Sequence, residues 1–370
     1  MSIVMGLDQH RGQVTGEWID TETGEVERTR VAPADRAHVR KWLSRFCGQE
    51  LEVALEATTG WRFVVEELRR VGAVVHLAEP AETAARRGTK KRPKNDRADA
   101  RHLRELLMVE RLPESWIPPD HILDLRARVR LRHRLKEQRS EWQQRIQATL
   151  YHHGCPQRRQ LMTGEGREWL DAQPLPASAR DTVTVALAII DALETQIAPL
   201  DKALRSYARR QAGCKALMAH YGIGELCAVT ILAELGDCTR FSSSRQAVRY
   251  AGMDITVYES DRRRAPGHLS RQGPPALRWA LFEAAQQTRR RTASPDRDYF
   301  EQAAERIDGN RACLSVARKL LKRSYHTLRE LGRRHWHPHD LPGARQALTH
   351  TDARRPAPGT LLPPRTRGRP

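Results

Sequence analysis

Cysteines are few, long apolar runs are missing and acidic side chains are in deficit in this 370-residue sequence. The six cysteines, Cys47, Cys155, Cys214, Cys227, Cys238 and Cys313, lie far apart and form no CxxC pair. That spacing excludes a zinc ribbon and a disulfide framework, and predicts buried, reduced thiols. No apolar run approaches the roughly 20 residues of a membrane-spanning helix. Met1–His10 lacks the charged and apolar regions of a signal peptide. A soluble, cytoplasmic protein with no membrane partner is expected. Acids are outnumbered, 45 Asp and Glu against 64 Lys and Arg, for a formal charge of +19. Such an imbalance favours a polyanionic partner, with nucleic acid the first candidate. The length suits two or three domains and a sizeable core.

What is present begins with extended segments. "SIVMGLD" is a short apolar run ending in Asp8; "GQVTGEWID" and "VERTRVA" follow around a turn at "TETGE", which reads as a three-stranded meander. "DRAHVRKWLSRF" carries Val39, Leu43 and Phe46 at helical spacing. "LEVALE" is then a strand ending in Glu56, "WRFVVEELRRVG" a helix stopped by Gly72, and "AVVHLAEP" a strand stopped by Pro80. The order βββαβαβ, then a helix, is that of the ribonuclease H-like fold, whose central strands deliver acidic side chains to one edge. The expected class is α/β, RNase H-like, in the N-terminal part, and all-α beyond it.

"KNDRADAR" sets two aspartates three residues apart in a strongly basic stretch. A helix starting near Asn95 puts Asp96 and Asp99 on one face. Asp8 and Glu56 end predicted strands, where side chains project into the crevice beyond a sheet edge. Four converging carboxylates repel one another and need a cation at neutral pH. Oxygen ligands of this kind suit Mg2+, and two such ions about 3.5–4 Å apart can act on a phosphodiester. Arg86, Arg87, Lys90, Lys91, Arg92, Lys94, Arg97, Arg101 and Arg104 are expected to hold a phosphate backbone around them. Taken singly, each acid reads first as a helix cap or a turn residue; the four together in fold order reverse that reading.

"GLD" at Asp8, "LEATTGW" at Glu56 and "KNDRADAR" at Asp96 and Asp99 resemble the DEDD motif of the RuvC-like domain in one group of insertion-sequence transposases. These are recombinases guided by a structured bridge RNA. The resemblance implies that the four acids bind Mg2+ and that DNA and a guide RNA are partners.

In the middle, "DHILDLRARVRLRHRLKEQRSEWQQRIQATL" keeps a narrow seam of Leu135, Trp142, Ile146 and Leu150, while the arginines from Arg126 to Arg134 spread around the helix. Beyond a Gly/Pro-containing break, Val183, Ala186, Ile190, Leu193, Ile197, Leu200, Leu204 and Tyr207 step by threes and fours as a heptad seam. Pro199 inside it predicts a kink or a new helix. The seam fits an intramolecular hairpin as well as a coiled coil between chains; the family resemblance implies a dimerising coiled coil, hence a homodimer or tetramer.

Farther on, "HYGIGELCAVTILAELGD" has a turn with Gly222 and Gly224 opening a helix, like one helix-hairpin-helix element whose backbone N–H groups meet a phosphate. Tight-turn chemistry explains the same glycines. "YESDRRR" places Ser260 beside Arg262, Arg263 and Arg264, groups able to bind phosphate oxygens. On the residues alone Ser260 competes with Ser242, Ser243, Ser244 and Ser270. "YGIGELCAVTILAELGD", "FSSSRQAVRYAGM" and "YESDRRR" look like the C-terminal transposase domain of the same family, whose nucleophilic serine follows a Tyr-Glu pair; this implies that Ser260 is the nucleophile. Asp261 replaces the family's common Gly, and Gly273-Pro274 its Gly-Asn pair. "RACLSVARKLLKRSYHTL" reads as a core-packing helix with a basic face, and His335, His337 and His339 as part of a tail. The expected organisation is a RuvC-like domain over 1–115, a helical dimerisation segment over 116–208, a serine-bearing domain over 209–335 and a disordered basic tail over 336–370. The expected activity is Mg2+-dependent strand cleavage and rejoining through a phosphoserine. The alternative is a RuvC-like nuclease or resolvase using activated water.

Overall fold

Residue alternation builds the first sheet. In β1 (Ser2–Gln9), Ile3, Met5 and Leu7 enter one hydrophobic cluster and Val4 another, so Val4, Gly6 and Asp8 share the opposite face. The structure, a computed structural model, describes residues 2–87, 95–256, 259–260, 263–264, 267–290 and 294–332; for Thr256, Glu259, Ser260, Arg263 and Arg264 only the backbone is described. The chain divides into two units, Met1–Ile117 and Pro118–Pro370.

In the first unit β2 (Val14–Asp20) and β3 (Val26–Val31) extend β1 as an antiparallel meander. Helix α1 (Arg36–Leu43) precedes β4 (Glu50–Glu56), α2 (Trp61–Arg70) precedes β5 (Val74–Ala78), and both strands add in parallel. Helices α3 (Pro80–Ala85) and α4 (Asp96–Met108) lead to a two-residue strand, β6 (Glu114–Ser115), that closes the order β3-β2-β1-β4-β5-β6. The mixed sheet agrees with the order read from the sequence; α3 and β6 are additions.

One sheet face packs on α1 and α2. There Trp18, Trp42 and Phe46, part of a small aromatic complement, meet with ring centroids 5.3–6.1 Å apart. The other face carries α4, through Val4, Ala54, Ala78, Leu103 and Leu107. Gly6 sets how close α4 lies: a Cβ there would stand 2.0 Å from the Ala100 carbonyl oxygen and 2.7 Å from the Arg104 nitrogen. Arg104 is only 6% exposed, and its Nε and Nη2 donate to Glu17 Oε1 at 3.1 and 3.0 Å. It is therefore a buried pairing group under α4, not the phosphate contact expected of it.

The second unit is helical. Helix α5 (Asp120–His152), α6 (Gly164–Asp171) and α7 (Ala177–Arg210) come first. Trp142, Ile146 and Leu150 pack on Val183, Ala186 and Ile190, while Arg132 pairs with Asp201 and Arg139 with Glu194. Late α5 thus meets early α7, an antiparallel hairpin. Within the chain Val183, Ala186 and Ile190 of the heptad seam pack on α5, Ile197, Leu204 and Tyr207 are also buried, and Leu193 and Leu200 are half-buried. Helix α7 runs unbroken through Pro199. It is also long and apolar enough to cross a membrane by length and composition, although Asp191 and Glu194 interrupt its apolar run. Helices α8 (Ala212–Met218), α9 (Glu225–Leu235), α10 (Ser244–Tyr250), α11 (Pro275–Gln286), α12 (Arg297–Arg306) and α13 (Gly309–Leu331) complete the unit.

Arginines lock α5 to the end of α9. Arg126 donates to the carbonyls of Ala233 and Glu234 at 2.7 and 2.8 Å, and Arg130 grips the fully buried Glu234 carboxylate with two 2.7 Å bonds. In α13, Val316, Ala317, Leu320, Leu321 and Tyr325 are buried, the core role expected of that helix. All six cysteines are free; Cys214, Cys238 and Cys313 are buried and Cys155 and Cys227 half-buried, but Cys47 is exposed, against expectation. The expected tail and the three clustered histidines lie outside the described residues.

Candidate active site

Three elements of the first unit carry the four acids. Asp8 is next to last in β1 and Glu56 is last in β4. The parallel register that sets Leu7 against Leu55 places both one step farther along neighbouring strands. Asn95 caps α4 by accepting from the Ala98 N–H at 2.8 Å, which puts Asp96 and Asp99 in the first turn. The helix N-terminus there favours negative charge.

Asp8 is the most shielded of the four, its side chain 11% exposed, and its Oδ2 accepts no hydrogen bond from the described residues. Burial pushes its pKa up to about 6; nearby His10 opposes the rise, and the charges of Asp99, Asp96 and Glu56 add to it. The other three carboxylates therefore all act on Asp8.

The tight β1–β2 turn supplies two side chains that the sequence reading missed. The His10 N–H donates to the Gln13 carbonyl at 2.8 Å, which returns both residues to the strand end. His10 Nε2 lies 3.2 Å from Asp8 Oδ2 and 3.6 Å from Asp96 Oδ1, and the Gln13 amide donates to Asp96 Oδ2. Asp8, His10 and Asp96 offer ligand atoms all within 4.8 Å of one another. The available signal was the spacing in "DQHRGQ", where a strand end is followed at once by a turn that doubles back.

Glu56 and Asp99 face a guanidinium. Arg87 Nη1 is 2.7 Å from Asp99 Oδ1 and Nη2 is 3.8 Å from Glu56 Oε1. Arg87, expected to bind phosphate, is here an internal counter-ion of the acids. Arg86 donates to the Arg111 carbonyl and Arg101 pairs with Glu105 at 2.7 Å, while Arg97 is exposed. Lys90, Lys91, Arg92 and Lys94 lie outside the described residues. An unpartnered, buried carboxylate oxygen among three further acids and an imidazole is a donor set that fits a divalent cation.

In the second unit, β7 (Ile255–Thr256) pairs with β10 (His268–Leu269), and β8 (Glu259–Ser260) with β9 (Arg263–Arg264). The register sets Ser260 opposite Arg263 and Glu259 opposite Arg264; Arg262 lies outside the described residues. Arg271, Arg311 and Arg318 line a cleft beside the β7–β10 ribbon. Gly222 has φ +85°, and a Cβ on it would stand 2.3 Å from the Ala284 carbonyl oxygen, so its lack of a side chain serves packing on α11. Gly224 is the residue before α9 and has open space around it.

A mixed sheet with an antiparallel meander continued by parallel strands, and with carboxylates from two strands and a helix gathered at one end, is the arrangement of an RNase H-like DEDD transposase domain. Comparison with known proteins agrees. Residues 5–154 match a DEDD family described as "Transposase", and residues 214–301 match one described as "Transposase IS116/IS110/IS902 family". Relatives include a family 20 transposase of Pseudomonas aeruginosa, 25% identical over 246 residues that cover 63% of this chain and 70% of that protein. The transposase for insertion sequence element IS1111A of Coxiella burnetii is 25% identical over 239 residues, 61% of this chain and 64% of the relative. A Sinorhizobium fredii transposase is 30% identical over 164 residues, 44% of this chain and 40% of the relative. The chain belongs to the IS116/IS110/IS902 family of insertion-sequence transposases, and its DEDD type implies a divalent metal.

Proposed function

We propose that the protein is a transposase that works as an RNA-guided DNA recombinase, with Ser260 as nucleophile. The Ser260 oxygen attacks a DNA phosphorus, its proton leaves, and the bond from phosphorus to the departing deoxyribose oxygen breaks. A deoxyribose hydroxyl of a second strand then attacks the phosphoserine, forms the new phosphodiester and returns the serine. The number of phosphate ester bonds is conserved, so no ATP is needed. Arg262, Arg263 and Arg264 bind the phosphate oxygens. Asp8, Glu56, Asp96 and Asp99 hold Mg2+, which when bound supplies Lewis-acid charge beside the phosphate. Base pairing through a bridge RNA selects the sites, leaving shape and backbone to the protein. A homo-oligomer, dimer or tetramer, brings Ser260 of one copy to the acids of another, and Gly222 and Gly224 open a turn that meets the backbone.

The observation that carries this reading is the gathering of four acids around the unpartnered Asp8 oxygen, in a chain whose second half matches the partner domain of the same family. Labelled DNA, guide RNA and Mg2+ are incubated with the protein and then denatured. A protein–DNA adduct that is lost in Ser260→Ala and in Asp8→Asn is the expected result. Unchanged cleavage by Ser260→Ala would instead assign the chemistry to water at the acidic site.

A further inference from the structure

The imidazole of His10 has no place in a purely acidic DEDD site. Three observations give it one. Its Nε2 stands 3.2 Å from Asp8 Oδ2 and 3.6 Å from Asp96 Oδ1. Two donors bound at right angles to one ion at about 2.1–2.2 Å are themselves about 3 Å apart, so both spacings are close to those of neighbouring ligands. Second, the His10–Asp8 approach is not a hydrogen bond: among the described residues Asp8 Oδ2 accepts none, although Asp8 is only 9% exposed. A buried carboxylate oxygen left without a donor costs free energy unless something else satisfies it. Third, the turn holds His10 in place through its N–H bond to the Gln13 carbonyl at 2.8 Å, and the Gln13 side chain occupies Asp96 Oδ2, which leaves Oδ1 facing the imidazole.

We propose that His10 is a nitrogen ligand of the ion held by Asp8 and Asp96, so that this position prefers a first-row transition ion such as Mn2+ over Mg2+ or Ca2+. The inference rests on the acids being the metal site. Imidazole nitrogen is a poor partner for Mg2+ and Ca2+, which favour oxygen, and a better one for first-row ions. Glu56 and Asp99, held by Arg87, offer only oxygen and have no such bias. One site then has two unlike halves, a mixed nitrogen and oxygen half and an all-oxygen half.

The test uses the full-length, tag-free protein with Mn2+ as a paramagnetic probe. Mn2+ affinity is read from loss of the free-ion EPR signal, and ligation from nitrogen modulation of the electron spin echo. The wild-type protein is expected to show nitrogen modulation and to retain Mn2+ against excess Mg2+. In His10→Gln the modulation disappears, and Mn2+ affinity falls about tenfold while Mg2+ affinity moves less than twofold. Bound Mn2+ with no nitrogen modulation in the wild type overturns the His10 assignment and leaves the acidic site standing. Mn2+ binding undiminished in Asp8→Asn overturns both. A His10→Gln protein that keeps its circular dichroism spectrum and Mg2+ affinity shows that any loss is one of ligation, not of folding.

Discussion

Gly6 offers the most direct test of how packing builds the site. Its missing side chain lets the α4 backbone lie against β1, and an added Cβ would stand 2.0 Å from the Ala100 carbonyl oxygen where ordinary contact begins near 3.4 Å. Gly6→Ala therefore forces α4 to retreat by about 1.4 Å, because close-packed interiors have no slack to absorb it. Metal sites tolerate about 0.2 Å in ligand position, and Asp96 and Asp99 ride on the displaced helix. The buried pair of Arg104 and Glu17 lies under the same contact. The overpacking is expected to cost about 3 kcal/mol, and the misplacement of the acids to slow DNA cleavage by about 100-fold. Urea denaturation followed by hydrogen exchange localises the effect, with loss of protection in β1 and α4. Gly12→Ala is the control, since nothing lies within 4 Å of a Cβ there. A Gly6→Ala protein with wild-type protection in α4 and wild-type cleavage would refute the reasoning.

Three further outcomes are expected. Asp8 has its pKa raised from 3.8 to about 6, so between those values the folded chain holds a proton that the unfolded chain has released; the stabilisation is full below 3.8 and is lost as pH rises through 6. Divalent binding needs the ionised carboxylate and strengthens over the same interval, which calorimetric Mg2+ titrations at about pH 5 and about pH 7 measure, with proton release at the lower value. Arg87→Ala removes the internal counter-ion of Asp99 and Glu56, so added Mg2+ should raise the melting temperature of this variant more than that of the wild type; an equal shift would show that Arg87 does not compete with the ion. Glu234→Gln leaves Arg130 and a buried amide poorly matched and should lower stability by about 3 kcal/mol in urea unfolding, with loss of protection at the α5–α9 junction.

Local chemistry made part of the site legible. Alternation fixed where β1 and β4 end, and the Asn95 cap fixed where α4 begins, so Asp8, Glu56, Asp96 and Asp99 could be read from short segments. His10 and Gln13 could not, because what brings them to the acids is the path of a turn. Charge runs were the least informative feature. Arg87, Arg101 and Arg104 share one composition with their neighbours, yet each finds a carboxylate, and composition does not say which arginine has an acid within reach. The seam of α7 is another such case: threes and fours describe any helix packed along its length, and the periodicity is the same whether the partner is α5 or a second chain. Gly6 read as an ordinary member of an apolar run; only the approach of α4 gives it a role.

The parallel pairing of β1 with β4 carries a consequence for how this sequence can change in length. Asp8 and Glu56 are adjacent only because Leu7 stands opposite Leu55, and a slip of one residue turns every side chain of a strand to the other face. One codon gained or lost within Glu50–Glu56 would bury a charge and expose a leucine at once. The turn between Asp20 and Val26 bears no such constraint. Insertional scanning should therefore show a sharp tolerance map: silent at that turn, lethal across β4.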